Sequence, residues 1–187
     1  ISGLDLEKLV AAIDSKDPRV RAQALISARR LAETGTLSHA DGERLAKAVL
    51  PYSVVRNTDG SLRMERVPHD KGDEPRVIPV LAVETLIALG SVSPLIEATE
   101  GELRDGALMA LRQMHSKEVV DAALAKMAKT YDAKPRREWL ELLARLHFQE
   151  GEYIKSDWWG TRPDTRGPYY DRKTWDQSER IKQVLVQ

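Results

Sequence analysis

The fold of this chain is decided by the stretch DPRVRAQAL at residues 17–25. Asp17 can accept a hydrogen bond from a backbone N–H group at a helix start, and Pro18 suits the first helical position because no N–H is needed there. Behind Pro18, apolar residues recur at helical spacing on one face: Val20, Ala24, Ala28 and Leu31. The stretch therefore predicts an amphipathic helix that stops near Gly35.

Similar start and stop signals recur on both sides of this helix, up to about residue 148. A short helix precedes it at residues 4–13. Later helix starts are predicted at Ser38, Glu74-Pro75, Ser93-Pro94, Ser116 and Pro135, and helix ends at Pro51 and Gly90. Pro79 lies inside one helix, whose regular part is expected to begin a few residues late. Helices of about a dozen residues joined by short turns predict an all-α fold of stacked antiparallel helical hairpins.

One segment breaks the helical pattern. Residues 53–56 and 62–67 alternate around an Asp59-Gly60 turn. This arrangement predicts a single β-hairpin over about residues 53–67, inserted between helices.

The stretch at residues 17–25 resembles the second helix of a HEAT-like repeat, and residues 74–77 and 103–108 are weaker echoes of it. The resemblance implies a HEAT/armadillo-like α-solenoid over residues 1–148, followed by a second region at 149–187. A non-repetitive helical bundle is the alternative architecture.

The second region is dominated by aromatic residues. Six of the ten aromatic side chains fall within residues 153–175: Tyr153, Trp158, Trp159, Tyr169, Tyr170 and Trp175. Residues 160–168 between them carry turn chemistry and no helical or strand period. A long connection of this kind is usually functional or disordered, and its aromatic content argues against disorder. A last amphipathic helix with Trp175, Ile181, Val184 and Leu185 is expected to follow.

Two interpretations of this aromatic loop remain open. In the first, the loop caps the last helix of the repeats. This interpretation is favoured because large aromatic side chains are more often part of a core than of a binding surface. In the second it is a recognition surface, because Trp, Tyr and Arg dominate binding hot spots. The candidate binding residues are Trp158, Trp159, Arg162, Asp164, Arg166, Tyr169 and Tyr170.

Residues 157–170 also resemble a segment that follows HEAT-like repeats in large exported bacterial proteins. Those proteins combine a membrane-bound-dehydrogenase domain, a sugar-dehydrogenase-like propeller, with helical repeats and a c-type cytochrome domain. The resemblance implies an interdomain connector in a periplasmic redox protein. Because the chain opens at Ile1 without an initiator Met, it is expected to be a piece of a longer protein.

The amino-acid composition and the missing motifs disfavour several classes of function. Lys plus Arg and Asp plus Glu both number 29, and this zero formal charge disfavours a nucleic-acid partner. No cysteine is present, which excludes thiolate catalysis and covalent haem attachment by this chain. No phosphate loop or catalytic motif occurs, so neither enzyme activity nor a cofactor is expected. No apolar run is long enough to insert into a membrane.

Two further groups of charged residues are weak candidates for binding sites. His69-Asp70, near Asp73 and Glu74, could ligate a metal but is more typical of a solvated loop. Lys126, Lys129, Lys134, Arg136 and Arg137 could form a small basic patch, although such a charge group is more typical of a solvated helix face.

The sequence favours a non-catalytic scaffold that binds protein or neighbouring domains of its own polypeptide. A HEAT-like nucleic-acid-binding module and carbohydrate stacking on Trp158 and Trp159 are the alternatives.

Overall fold

The computed structural model describes residues 6–55, 77–152 and 171–186. Helix accounts for 71% of these residues, and no strand longer than an isolated bridge occurs among them. The all-α class is therefore confirmed for the described part of the chain. The predicted β-hairpin at 53–67 lies mostly outside the described residues and stays a prediction.

The described helices divide between two compact units, Ile1–Leu111 and Arg112–Gln187. The first unit contains α1 (Leu6–Ile13), α2 (Pro18–Glu33), α3 (His39–Val49), a 3-10 turn (Leu50–Tyr52), α4 (Val77–Leu89), α5 (Val92–Ala98) and α6 (Arg104–Leu111). The second contains α7 (Lys117–Lys129), α8 (Ala133–Leu146) and α9 (Ser178–Leu185). The boundary that the sequence predicts between the repeats and the aromatic region, after residue 148, is a different boundary from the one between these two units, and it stays a prediction.

The helix signals read from the sequence are largely confirmed. The Asp17 carboxylate accepts from the Arg19 amide at 2.8 Å, and Ser38 and Ser116 cap α3 and α7 in the same manner. Gly35 and Gly90 follow α2 and α4 with φ of 66° and 65°, a left-handed conformation that glycine adopts without steric cost.

Two of the helix starts that the sequence predicts from proline, at Ser93-Pro94 and Pro135, are two residues late, whereas α2 begins at Pro18 as predicted. Helix α5 begins at Val92 after Ser91, so Ser93-Pro94 lies inside its first turn. Helix α8 begins at Ala133, which makes Pro135 its third residue. Proline is tolerated throughout a first turn because the N–H groups there have no intrahelical acceptor. Pro79 is the third described residue of α4.

In the first unit, helices contact one another in a regular order. Consecutive helices pair as α1 with α2, α3 with α4, and α5 with α6. Helix α3 also contacts α1 and α5, and α4 also contacts α2, α6 and the 3-10 turn. The buried Thr85 hydroxyl on α4 lies between two carbonyl acceptors, Leu81 of its own helix at 2.7 Å and Leu25 of α2 at 3.1 Å, which shows how closely the two helices pack.

Helix α6 approaches the 3-10 turn closely at one glycine. A Cβ atom at Gly106 would lie 1.9 Å from Ser53 Oγ and 2.7 Å from Ser53 Cβ. Ser53 is buried, and its hydroxyl donates to the Leu50 carbonyl at 2.7 Å. Gly106 is therefore required for this approach, since any side chain would push α6 away from the turn.

In the second unit, α8 contacts both α7 and α9. Its buried residues are Trp139, Leu142, Leu143 and Leu146. The Arg136 guanidinium on α8 donates to the Met127 carbonyl at 3.0 Å, so a cation satisfies the negative C-terminal end of α7. Nowhere in residues 6–55, 77–152 and 171–186 does a helix have the length and apolarity needed to cross a membrane.

Candidate functional site

All of the candidate binding residues, from Trp158 to Tyr170, lie outside the described residues. The structure describes the chain on either side of them, at residues 147–152 and 171–178. We call these two segments the loop base, because they carry the beginning and the end of the aromatic loop.

The two segments of the loop base pair with each other. The Gln149 amide donates to the Lys173 carbonyl at 2.9 Å, and the Lys173 amide returns a bond of 2.9 Å to the Gln149 carbonyl. Two residues further along, the Gly151 amide donates to the Asp171 carbonyl at 3.0 Å. This short antiparallel ladder fixes both ends of the aromatic loop at one place.

The ladder ends in a conformation that depends on glycine. A Cβ atom at Gly151 would lie 2.4 Å from Asp171 Oδ2 and 2.7 Å from the Asp171 carbonyl oxygen. Asp171 itself has a φ of 41°, which Asp tolerates better than most residues because its side chain can bond locally. Gly151 therefore permits the approach that starts the loop.

The loop base also supplies hydrogen-bond donors to the carbonyl groups at the C-terminal end of α8. The last carbonyls of a helix have no intrahelical donor and must be satisfied from elsewhere. Here three consecutive carbonyls each receive one side-chain donor: Leu146 from Trp175 Nε1 at 2.7 Å, His147 from Ser178 Oγ at 2.7 Å, and Phe148 from His115 Nε2 at 2.8 Å. The chain that returns from the aromatic loop is thereby bound to the end of α8.

Ring contacts pack the same region. His115 and Trp175 lie edge to face with centroids 5.5 Å apart, and the Arg172 guanidinium stands 5.3 Å above the Phe148 ring. Because the Phe148 carbonyl can only accept, the Nε2 atom of His115 carries the hydrogen. His115 therefore acts as a donor to the loop base.

The hydrophobic pattern predicts Trp175 on the apolar face of the last helix, and this prediction is wrong. Helix α9 begins at Ser178, and Trp175 precedes it. The Ser178 hydroxyl accepts from the Trp175 amide at 2.9 Å, which turns the indole toward α8. A local signal for this arrangement is Ser178, the first residue of α9, because serine is common where a helix begins and so separates Trp175 from the helix.

An ion pair between Arg180 and Asp121 links α9 to α7. The hydrogen bond from Lys117 holds the pKa of the Asp121 carboxyl below its ordinary value, and the hydrogen bond from Arg180 lowers that pKa further. The Lys117 ammonium lies 2.6 Å from Asp121 on the same helix, whereas Arg180 reaches it from α9.

The basic patch proposed from sequence is partly used inside the chain. Arg136 binds the end of α7, and Arg137 pairs with Glu141 at 2.8 Å. Glu141 also lies 3.5 Å from Arg112. The patch is therefore less positive than its sequence indicates.

The possible metal group at His69-Asp70 lies outside the described residues. Within the part of the chain that the structure describes, no three His, Cys, Asp or Glu side chains come together to hold a metal ion.

Comparison with models of known protein families, with curated proteins and with solved structures finds no match for this chain.

Proposed function

We propose that this chain is a non-catalytic, HEAT-like docking module that binds protein, including neighbouring domains of its own polypeptide. One observation carries the proposal, namely the order of helix contacts in the first unit. The odd-numbered helices contact each other in series, the even-numbered helices do the same, and each odd helix pairs with the even helix that follows it.

This order is what a stack of helical hairpins produces. In such a stack each hairpin touches only its neighbours, so contacts follow the series in two layers. A bundle around one central core would instead bring α1 against α6, and these two do not share a substantial contact in the described residues. The contact order supports a solenoid, and solenoids present extended surfaces for partner binding.

The loop base supports partner recognition by the aromatic loop as a second part of the same docking function. Its ladder and its bonds to the end of α8 hold both ends of residues 153–170 in place. A loop with fixed ends loses less conformational entropy when a partner binds, which favours recognition by its Trp, Tyr and Arg residues.

The resemblance of residues 157–170 to exported bacterial redox proteins supports the role of an interdomain connector in the periplasm. Nucleic acid is the weaker partner because the formal net charge is zero and because Arg136 and Arg137 are engaged within the chain.

The proposal is tested by photo-cross-linking in living cells of the source organism. A photoreactive phenylalanine analogue replaces Trp159 in one variant and Tyr131 in a control variant, Tyr131 being 93% exposed. Protease-sensitive adducts that form at position 159 and not at 131 support a protein-docking loop. Nuclease-sensitive adducts, equal adducts at both positions, or none at all refute it.

A further inference from the structure

We draw no further inference here: the strongest candidate, the apolar side of α4 around the exposed Val77 and Val80, carries nothing because residues 56–76, which lead directly into this helix, are outside the described part of the chain and nothing in the structure shows what covers it.

Discussion

Replacing Gly106 by Ala should destabilise the protein, although alanine is the better helix former. Gly106 lies inside α6, where the exchange of glycine for alanine normally stabilises a helix by about 1 kcal/mol. The structure predicts the opposite sign because the new Cβ atom would lie 1.9 Å from Ser53 Oγ, 2.7 Å from Ser53 Cβ and 2.9 Å from the Ser53 carbonyl oxygen.

The magnitude follows from which of these atoms can move. Rotating the Ser53 hydroxyl removes only the shortest contact and breaks its bond to the Leu50 carbonyl. The Cβ atom and the carbonyl oxygen are fixed by the backbone, so α6 must shift away from the 3-10 turn. Overpacking of this kind costs about 1–3 kcal/mol, and with two backbone-fixed atoms in the way we expect the upper half of that range, so the net loss after the propensity gain of about 1 kcal/mol is about 1–2 kcal/mol.

The assay is urea unfolding of Gly106→Ala beside the parent chain, with Gly101→Ala as control. No atom lies within 4 Å of a Cβ at Gly101, so this control should change stability by no more than about 0.5 kcal/mol. Ser53→Gly removes two of the three close contacts, and in that background Gly106→Ala should cost less by about 1 kcal/mol. A Gly106→Ala variant as stable as the parent, or an equal cost in both backgrounds, would show that the close approach does not exist.

Three further predictions concern the second unit. Trp175→Phe keeps an aromatic ring but leaves the Leu146 carbonyl without its indole donor, so urea unfolding should show a loss of about 1–3 kcal/mol, and parental stability would contradict this bond. The lowered pKa of Asp121 means that its ionised form stabilises the fold above the unfolded pKa of about 3.9 and that this contribution is lost as pH falls through the folded pKa. Asp121→Asn should therefore lower Tm at pH 7 and not in strong acid, and a difference that is the same at every pH would refute the assignment. The cap interpretation of the aromatic loop predicts that Trp159→Ala costs about 3–5 kcal/mol in urea unfolding, whereas a recognition role leaves stability within about 0.5 kcal/mol of the parent.

The parts of the fold that the sequence predicts are those governed by local interactions. The Asp17 cap depends on a bond to an amide two residues away, and the stop at Gly35 depends on its own backbone angles. Both can be read from a few neighbouring residues. The two-residue errors at Pro94 and Pro135 have a local cause as well, because a first turn accepts proline at several positions.

The features that the sequence does not predict are those governed by contacts between distant residues. Trp175 bonds to a carbonyl twenty-nine residues earlier, and Gly106 is required by Ser53, which lies on a different element. A hydrophobic pattern predicts Trp175 on an apolar helix face, because the pattern depends on the apolar ring and not on the indole N–H. The position of Trp175 is instead determined by the end of α8, whose last carbonyls need hydrogen-bond donors. Trp175 and Ser178, which follow the aromatic loop, provide two of these donors.

The same reasoning explains why α4 is the most informative helix of the first unit. Its lack of a polar face is visible in the sequence, and on its own it predicts only a central position in the core. The structure provides neighbours on several sides, in α2, α3, α6 and the 3-10 turn, and still leaves Val77 and Val80 exposed. The composition of α4 suits complete burial, and the described residues of its unit cover it only in part, so the sequence alone overstates how deeply this helix lies in the described core.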